Sequence, residues 1–234
     1  MMENNMRVLV IIPARGGSKG IPHKNIKPLN GKPLIYYTID VARGIVDDKD
    51  ICVSTDDPEI IKCVEDYGLK VPFVRPLELA TDTAGTYEVL LHAIDYYESR
   101  GQEYDVVVLL QNTSPFRTVE QVKDALSLYK EGIDMVVSVN ETRTNPYYNC
   151  FEDDEDGFLK KTIDNKLIVR RQDAPITYEF NGAVYIFNTL RLKQEHFSKF
   201  PKKRKYVMDE HHSVDLDTMA DWNYAEYLML NHLI

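Results

Sequence analysis

The sequence predicts an α/β protein: a mostly parallel sheet flanked by helices. Three observations carry that expectation. Short apolar runs rich in β-branched residues alternate with longer segments whose apolar residues recur at helical spacing. The strongest runs, 8–12 and 106–110, hold no polar residue, as strands buried on both faces require. Each run ends in a polar or glycine-bearing stretch, where α/β sheets place their binding loops.

Val8 to Ile12 reads as the first strand, followed by a loop of glycines and lysines. Pro33 fits the first position of a helix, and Leu34, Tyr37, Thr38, Val41, Ala42 and Ile45 mark its apolar face. Ile51 to Ser54 is a second strand, ending at Thr55-Asp56-Asp57. Ile60, Ile61, Val64 and Tyr67 outline a helix stopped by Gly68. Leu90, Ala93, Ile94 and Tyr97 mark another, beginning near Thr86. Val106 to Leu110 is the third strand and ends in Gln111-Asn112-Thr113-Ser114-Pro115. Val119, Val122, Leu126 and Tyr129 form a helical face behind Thr118, a natural N-cap. Met135 to Val139 is a fourth central strand. Residues 141–180 break the rhythm with Asn145-Pro146, the acidic run Glu152 to Asp156 and short alternating stretches around Phe158 and Ile168. They predict a β-hairpin excursion. Ala183 to Phe187 restores a core strand, and a last helix starts at about Asp217.

A chain of 234 residues fits a single domain, 1–234, because one core stops growing near ~250–300 residues. Hydrophobic residues make up 44% and charged residues 28%, which argues against a disordered, collagenous or disulfide-scaffold protein. The longest apolar run, 8–12, is far short of the ~20 residues a membrane span needs. Pro13 and Arg15 end that run, and 1–7 carries no basic cluster, so no secretory leader is expected. Cys52, Cys63 and Cys150 are odd in number and form no C-x-x-C pair. That predicts neither a disulfide framework nor a zinc ribbon, and a cytoplasmic location.

The net charge of −9 disfavours nucleic acid as a partner. Residues 1–32 nevertheless hold six basic side chains against one acid, Glu3. A basic, glycine-rich end on an acidic protein suits a small polyanion. Its centre is Pro13-Ala14-Arg15-Gly16-Gly17-Ser18-Lys19-Gly20-Ile21-Pro22-His23-Lys24-Asn25. Glycines let backbone N–H groups approach phosphates, and Arg15, Lys19 and Lys24 add three cations. Neither a P-loop nor a G-x-G-x-x-G fingerprint fits it.

A second motif is Val214-Asp215-Leu216-Asp217. In an extended segment Asp215 and Asp217 share a side while Leu216 faces the core, which suits a divalent cation beside a phosphate. Spacing alone leaves an alternative open: Asp217 as an N-cap, with Thr218-Met219-Ala220-Asp221 reading as a capping box. Thr113, Ser114 and Pro115 suit a helix-entry turn. Arg170 suits a surface ion pair, and the adjacent His211-His212 read as surface residues. Tyr147, Tyr148, Phe197 and Phe200 fit either the core or a subunit contact.

Ile12 to Gly20 followed by Lys24-Asn25 resembles the signature of acylneuraminate cytidylyltransferases, the CMP-sialic acid synthetases. Further similarities run in order: Arg75-Pro76 with Leu79-Ala80-x-Asp82, Leu110 to Arg117, Arg171-Gln172, Asn181 to Ile186, and Asp215-Leu216-Asp217. The resemblance implies a Rossmann-like, nucleotide-diphospho-sugar-transferase-like fold. It implies transfer of CMP from CTP to the anomeric hydroxyl of a sialic-acid-type nonulosonic acid, with release of pyrophosphate. CTP would lie against Arg15, Gly16, Gly17, Ser18, Lys19, Lys24, Asn25, Arg75 and Thr86. The sugar, an acidic 2-keto sugar, would lie against Gln111, Arg171, Asn181 and Tyr185. Asp215 and Asp217 would hold Mg²⁺ (or Mn²⁺), and Arg15, Lys24 and Asp217 would carry catalysis. For Thr86 a plain helix N-cap, and for Tyr185 a core aromatic, stand as alternatives. The family often has consecutive phenylalanines soon after the Tyr185 strand, where this chain has Ser198-Lys199.

The excursion 141–180 resembles the family's dimerisation element, implying a homodimer. Two other functions remain compatible with the residues. One is a cytidylyltransferase for another acidic 2-keto sugar (KDN, legionaminic, pseudaminic or Kdo). The other is a CTP-binding module without turnover, against which the lysines and the aspartate pair speak.

Overall fold

The structure, a computed structural model, describes residues 6–164 and 167–234. Residues 1–5, read above for a leader, and 165–166, inside the 141–180 excursion, lie outside the described residues.

Strand β1 (Val8–Pro13) runs into the basic loop. A two-residue hairpin follows, β2 (Pro28–Leu29) and β3 (Lys32–Pro33), and then α1 (Leu34–Arg43). Next come β4 (Ile51–Ser54), α2 (Pro58–Asp66), α3 (Thr86–Glu98), β5 (Val106–Leu109), α4 (Val119–Ser127) and β6 (Met135–Glu141). A hairpin of β7 (Phe151–Asp153) and β8 (Leu159–Lys161) projects before β9 (Tyr178–Asn188) returns to the sheet. The chain closes with α5 (Thr189–Gln194), β10 (Lys203–Val207) and α6 (Met219–Leu230).

The main sheet has the order β10-β6-β9-β5-β1-β4. The pairs β1–β4, β1–β5 and β6–β10 are parallel, and β9 runs antiparallel to both β5 and β6. Only β9 is therefore reversed. Its beginning meets the carboxyl ends of the others, with Tyr185 opposite Leu109 at the end of β5. That reversal delivers Asn181, Gly182 and Tyr185 to the edge of the sheet reached by the basic loop.

Strand alternation sets the two faces of the core. Val10 and Ile12 pack with Ile35, Ile39, Ile60 and Val64, while Leu9 and Ile11 pack with Leu90, Ile94 and Phe187. A third cluster joins Ile21, Leu34, Phe116, Val214, Leu216 and Trp222. It pins the basic loop, through Ile21, and the aspartate segment, through Val214 and Leu216, onto α6. Burying a leucine side chain is worth about 1.5–3 kcal/mol, so a one-residue slip of 214–217 is disfavoured. Phe200 is buried and Phe197 packs beside it, which assigns both to the core.

Several elements differ from the sequence expectation. Pro33 ends β3 and precedes α1, so it is not the first helical residue, and Ile45 lies beyond the helix. Strand β9 starts at Tyr178, five residues ahead of Ala183, because its first turns of chain are exposed and carry mixed polarity. The sequence also leaves α5 and β10 unread. Strand β10, Lys203-Arg204-Lys205-Tyr206-Val207, is a basic edge strand, a composition that discourages edge pairing and hides the apolar alternation. Helix α6 begins at Met219, with Thr218 as its N-cap and Asp221 completing a capping box, which removes the capping role from Asp217. Likewise Gly85, not Thr86, precedes α3 as its cap, and α4 is entered through the Thr118–Gln121 box rather than through Thr113 to Pro115.

The hairpin β7–β8 leaves Phe151, Phe158 and Leu159 exposed. Arg170 pairs with Asp173 at the surface, at 2.8 Å. His211 and His212 are half-buried, and His212 Nδ1 lies 2.6 Å from Asp209 Oδ2. Among the described residues no helix is long and apolar enough to cross a membrane.

Candidate active site

The basic loop is fastened at its start. Ala14 N–H donates to the Ser54 carbonyl at 2.9 Å, and Gly16 N–H donates to Asp56 Oδ1 at 2.9 Å. Gly17 takes φ +68°, a region that favours glycine. A Cβ at Gly20 would lie 2.1 Å from the Asp217 carbonyl oxygen, so only glycine lets the loop touch the aspartate segment there. Lys24, from the same loop, is nearly buried. Its Nζ donates to the Leu216 carbonyl at 2.6 Å and sits 3.5 Å from Asp217 Oδ1. Arg15, Gly16, Gly17, Ser18, Lys24 and Asn25 share one small concavity. Arg15 and Lys19 both reach Asp82, Arg15 Nη1 at 2.7 Å from its Oδ1.

Behind the loop lies a cavity of about 190 Å³, whose walls include Arg15, Asn25, Arg75, Thr86, Gln111 and Asn112. Asn25 donates to the Arg15 carbonyl at 2.9 Å and accepts from Asn112 Nδ2 at 3.2 Å. Its carboxamide is thus engaged at both ends, and it braces the loop. Arg75 is buried and donates Nε to Ser54 Oγ at 3.0 Å. Burial pushes its guanidinium down to about 10, against the pull of Asp56, so it stays charged at neutral pH.

The turn 111–115 ties the halves of the site together. Arg117, buried without a carboxylate partner among the described residues, donates to the Gln111 carbonyl at 2.7 Å, to the Ser114 carbonyl, and to Thr38 Oγ1 at 2.7 Å. Burial pushes its guanidinium down to about 9. Thr113 accepts Leu216 N–H on its carbonyl at 2.8 Å. Arg117 ends the Leu110 to Arg117 similarity, yet an arginine two residues past a proline turn carries no local signal of what its fork will reach.

Asp215 and Asp217 emerge on one side of the segment while Val214 and Leu216 are buried, as the alternation predicts. Asp215 keeps an exposed edge. Even so, the protein packed around its carboxylate raises its pKa, and the charge of Asp217 adds to the rise; Thr113 and Lys24 oppose it. Among the described residues no group of three or more His, Cys, Asp or Glu is placed to hold a metal. Two crowded carboxylates with free oxygens do fit a hard divalent cation whose other ligands come from phosphate and water.

On the other flank, Gly182 has φ +75°, and a Cβ there would lie 3.2 Å from both Gln111 Oε1 and Ser114 Oγ and 3.6 Å from Asp215 Oδ2. Glycine therefore lets Gln111 and Asp215 converge. Asn181 is buried, and its carboxamide is consumed by Ser138, Ala183 and Ser213, so it supports this corner from behind. Tyr185 is half-buried with its ring against Phe180 and Phe187; burial raises its hydroxyl pKa, and Asp215 adds to the rise. Arg171 is exposed and lines a separate cavity of about 410 Å³ with Glu141, Asn145, Gln172 and Pro175. That cavity shares no residue with those around the basic loop, one of which Gln111 lines.

The family model described as cytidylyltransferase matches residues 9–233. The chain is 35% identical over 225 residues to the CMP-N,N'-diacetyllegionaminic acid synthase of Legionella pneumophila, covering 96% of this chain and 97% of that protein. It is 34% identical to the pseudaminic acid cytidylyltransferase of Campylobacter jejuni, covering 97% and 98%. An N-acylneuraminate cytidylyltransferase of Streptococcus agalactiae is 38% identical over 93% of this chain, which spans about half, 52%, of that protein. In fold, a solved CMP:2-keto-3-deoxy-manno-octonic acid synthetase superposes with TM-score 0.70 at 17% identity, over 97% of this chain and 99% of that one. With a matching family model across nearly its whole length and relatives above 30% identity covering nearly all of it, the chain belongs to the cytidylyltransferase family.

Proposed function

We propose that the protein transfers CMP from CTP to the anomeric hydroxyl of an acidic nine-carbon 2-keto sugar of the sialic-acid type, releasing pyrophosphate. The observation that carries this reading is the direct seam between the basic loop and the aspartate segment. Gly20 abuts Asp217, and Lys24 Nζ donates to the Leu216 carbonyl, so phosphate-binding cations and the carboxylate pair share one cleft. The names of the relatives support the reaction and leave the acceptor among N-acylneuraminic, legionaminic and pseudaminic acids.

In this cleft the acceptor oxygen bonds to the α-phosphorus as the bond to the β-phosphate oxygen breaks. Transfer of this kind needs positioning and charge neutralisation more than covalent chemistry. Arg15 and Lys19 receive the leaving pyrophosphate, and Lys24 faces the α-phosphate. The cavity bounded by Arg75, Thr86 and Asn112 takes the nucleoside, while Gln111 and Tyr185 border the sugar. Asp215 and Asp217 would hold Mg²⁺ or Mn²⁺, which when bound supplies charge neutralisation at the phosphate oxygens.

A homodimer completes the proposal. The exposed apolar residues of 141–180, with Arg171 in its own cavity, suit an element that reaches a second copy of the chain. The deciding experiment is pyrophosphate release from CTP with a panel of N-acetylneuraminic acid, KDN, legionaminic, pseudaminic acid and Kdo. Release with one of the nonulosonic acids supports the reading. CTP binding with no release on any of them makes the protein a binding module instead.

A further inference from the structure

Three carboxylates, Asp56, Asp57 and Asp82, stand around the phosphate-side cavity of about 400 Å³ that Arg15, Gly16 and Gly17 also line. Acids are unexpected in the wall of a polyphosphate site, and two of the three have evident structural tasks. Asp56 receives Gly16 N–H at 2.9 Å. Asp57 caps α2, receiving Glu59 N–H at 2.7 Å and Ile60 N–H at 3.3 Å. Asp82 receives no backbone donor among the described residues. Its partners are the two loop cations alone: Arg15 Nη1 on Oδ1 at 2.7 Å and Lys19 Nζ on Oδ2. One carboxylate thus spans two cations in the way a phosphate would.

We propose that Asp82 is a positioning residue that holds Arg15 and Lys19 in the place of the β and γ phosphates, and that it is exchanged for those phosphates when the nucleotide binds. The role rests on the CTP reading of the cleft given above. Asp82 sits on an exposed, self-contained turn, in which Ala84 N–H returns to the carbonyl and hydroxyl of Thr81. That turn can swing without breaking a sheet hydrogen bond. Its flanks, Leu79, Ala84, Gly85 and Thr86, line the nucleoside cavity, so the segment that surrenders the cations also meets the base-and-ribose end of the ligand. Lys19 first, and Arg15 after it, hold the Asp82 carboxyl below the usual carboxylate range, so it is an anion at every working pH. A polyphosphate and Asp82 cannot both occupy the two cations without like charges facing one another. After transfer, the returning carboxylate competes with pyrophosphate and hastens its departure.

The test is Asp82→Asn, an exposed and nearly isosteric change, with binding measured by calorimetry for CTP, pyrophosphate and CMP. Removing the internal competitor should tighten CTP and pyrophosphate about three- to tenfold at low salt, the scale of two exposed ion pairs. The gain should shrink at about 0.5 M salt, where such pairs are screened. CMP, which lacks the outer phosphates, should bind as in the wild type. Asp82→Glu, which keeps the charge, should restore wild-type values for all three. Unchanged or weaker CTP and pyrophosphate binding in Asp82→Asn would overturn the exchange, as would an equal gain for CMP. Pyrophosphate separates the two readings: wild-type protein that takes pyrophosphate but not CTP would refute the cytidine reading, while the variant arm still decides the role of Asp82.

Discussion

Gly20 and Asp217 meet backbone to backbone: a Cβ on the glycine would stand 2.1 Å from the aspartate's carbonyl oxygen. This contact, nearly two hundred positions apart in the chain, joins the cationic loop to the carboxylate pair. The hydrogen bond from Lys24 Nζ to the Leu216 carbonyl is its second stitch.

Gly20→Ala should therefore part the loop from the aspartate segment while the core stays closed, because the clash is with backbone that a rotamer change cannot relieve. A displacement near 1 Å costs up to about 100-fold in rate, so kcat/KM should fall about 10–100-fold. Circular dichroism and thermal melting should stay close to wild type. Wild-type turnover would mean that the seam does not matter to the reaction.

Asp217→Asn should abolish metal-dependent turnover with the melting temperature unchanged. Thr218, not Asp217, caps α6, so the substitution removes a charge from the cleft and no cap from the helix. Thr218→Ala is the complementary variant. It should cost about 1 kcal/mol of stability, the usual price of a lost N-cap. The pair is read by denaturation and by pyrophosphate release; loss of stability in Asp217→Asn would return a structural role to that side chain.

The buried runs at 8–12 and 106–110 and the alternation of 214–217 are legible because burial on a fixed period leaves a pattern. The loop's glycines and cations are legible because phosphate chemistry restricts composition. Long-range placement is not: nothing near Asn25 announces that its carboxamide will be consumed by the Arg15 carbonyl and Asn112, and nothing near Asn181 announces Ser138 and Ser213. Strand β10 is hidden for another reason, since an edge strand carries its charges where a buried strand carries its signature.

Gly182→Ala should impair acceptor use selectively. At φ +75° an alanine costs about 1–2 kcal/mol, and its methyl would press on Gln111 Oε1 and Ser114 Oγ at 3.2 Å. The KM for the sugar should rise while CTP affinity, measured without sugar, holds. A matching loss in CTP affinity would place Gln111 on the nucleotide side of the cleft.

In the proposed homodimer, Arg171 would link acceptor recognition to assembly. In one chain it lines a cavity that Gln111 does not share, on an excursion with exposed Phe151, Phe158, Leu159 and Ile176. An isolated hairpin is marginal in water, so in the proposed homodimer this element would gain stability by packing on a partner. Arg171→Lys keeps the charge but loses the fork that grips a planar carboxylate. Charge-assisted hydrogen bonds are worth about 1.5–3 kcal/mol, so sugar kcat/KM should fall roughly tenfold to hundredfold with CTP binding intact. Light scattering should give twice the chain mass of 27.1 kDa at micromolar concentration, and dilution to monomer should reproduce the Arg171→Lys loss in the wild type. A fully active monomer would confine the excursion to a lid on its own domain, and Arg171 would then have to reach the sugar from within the same chain.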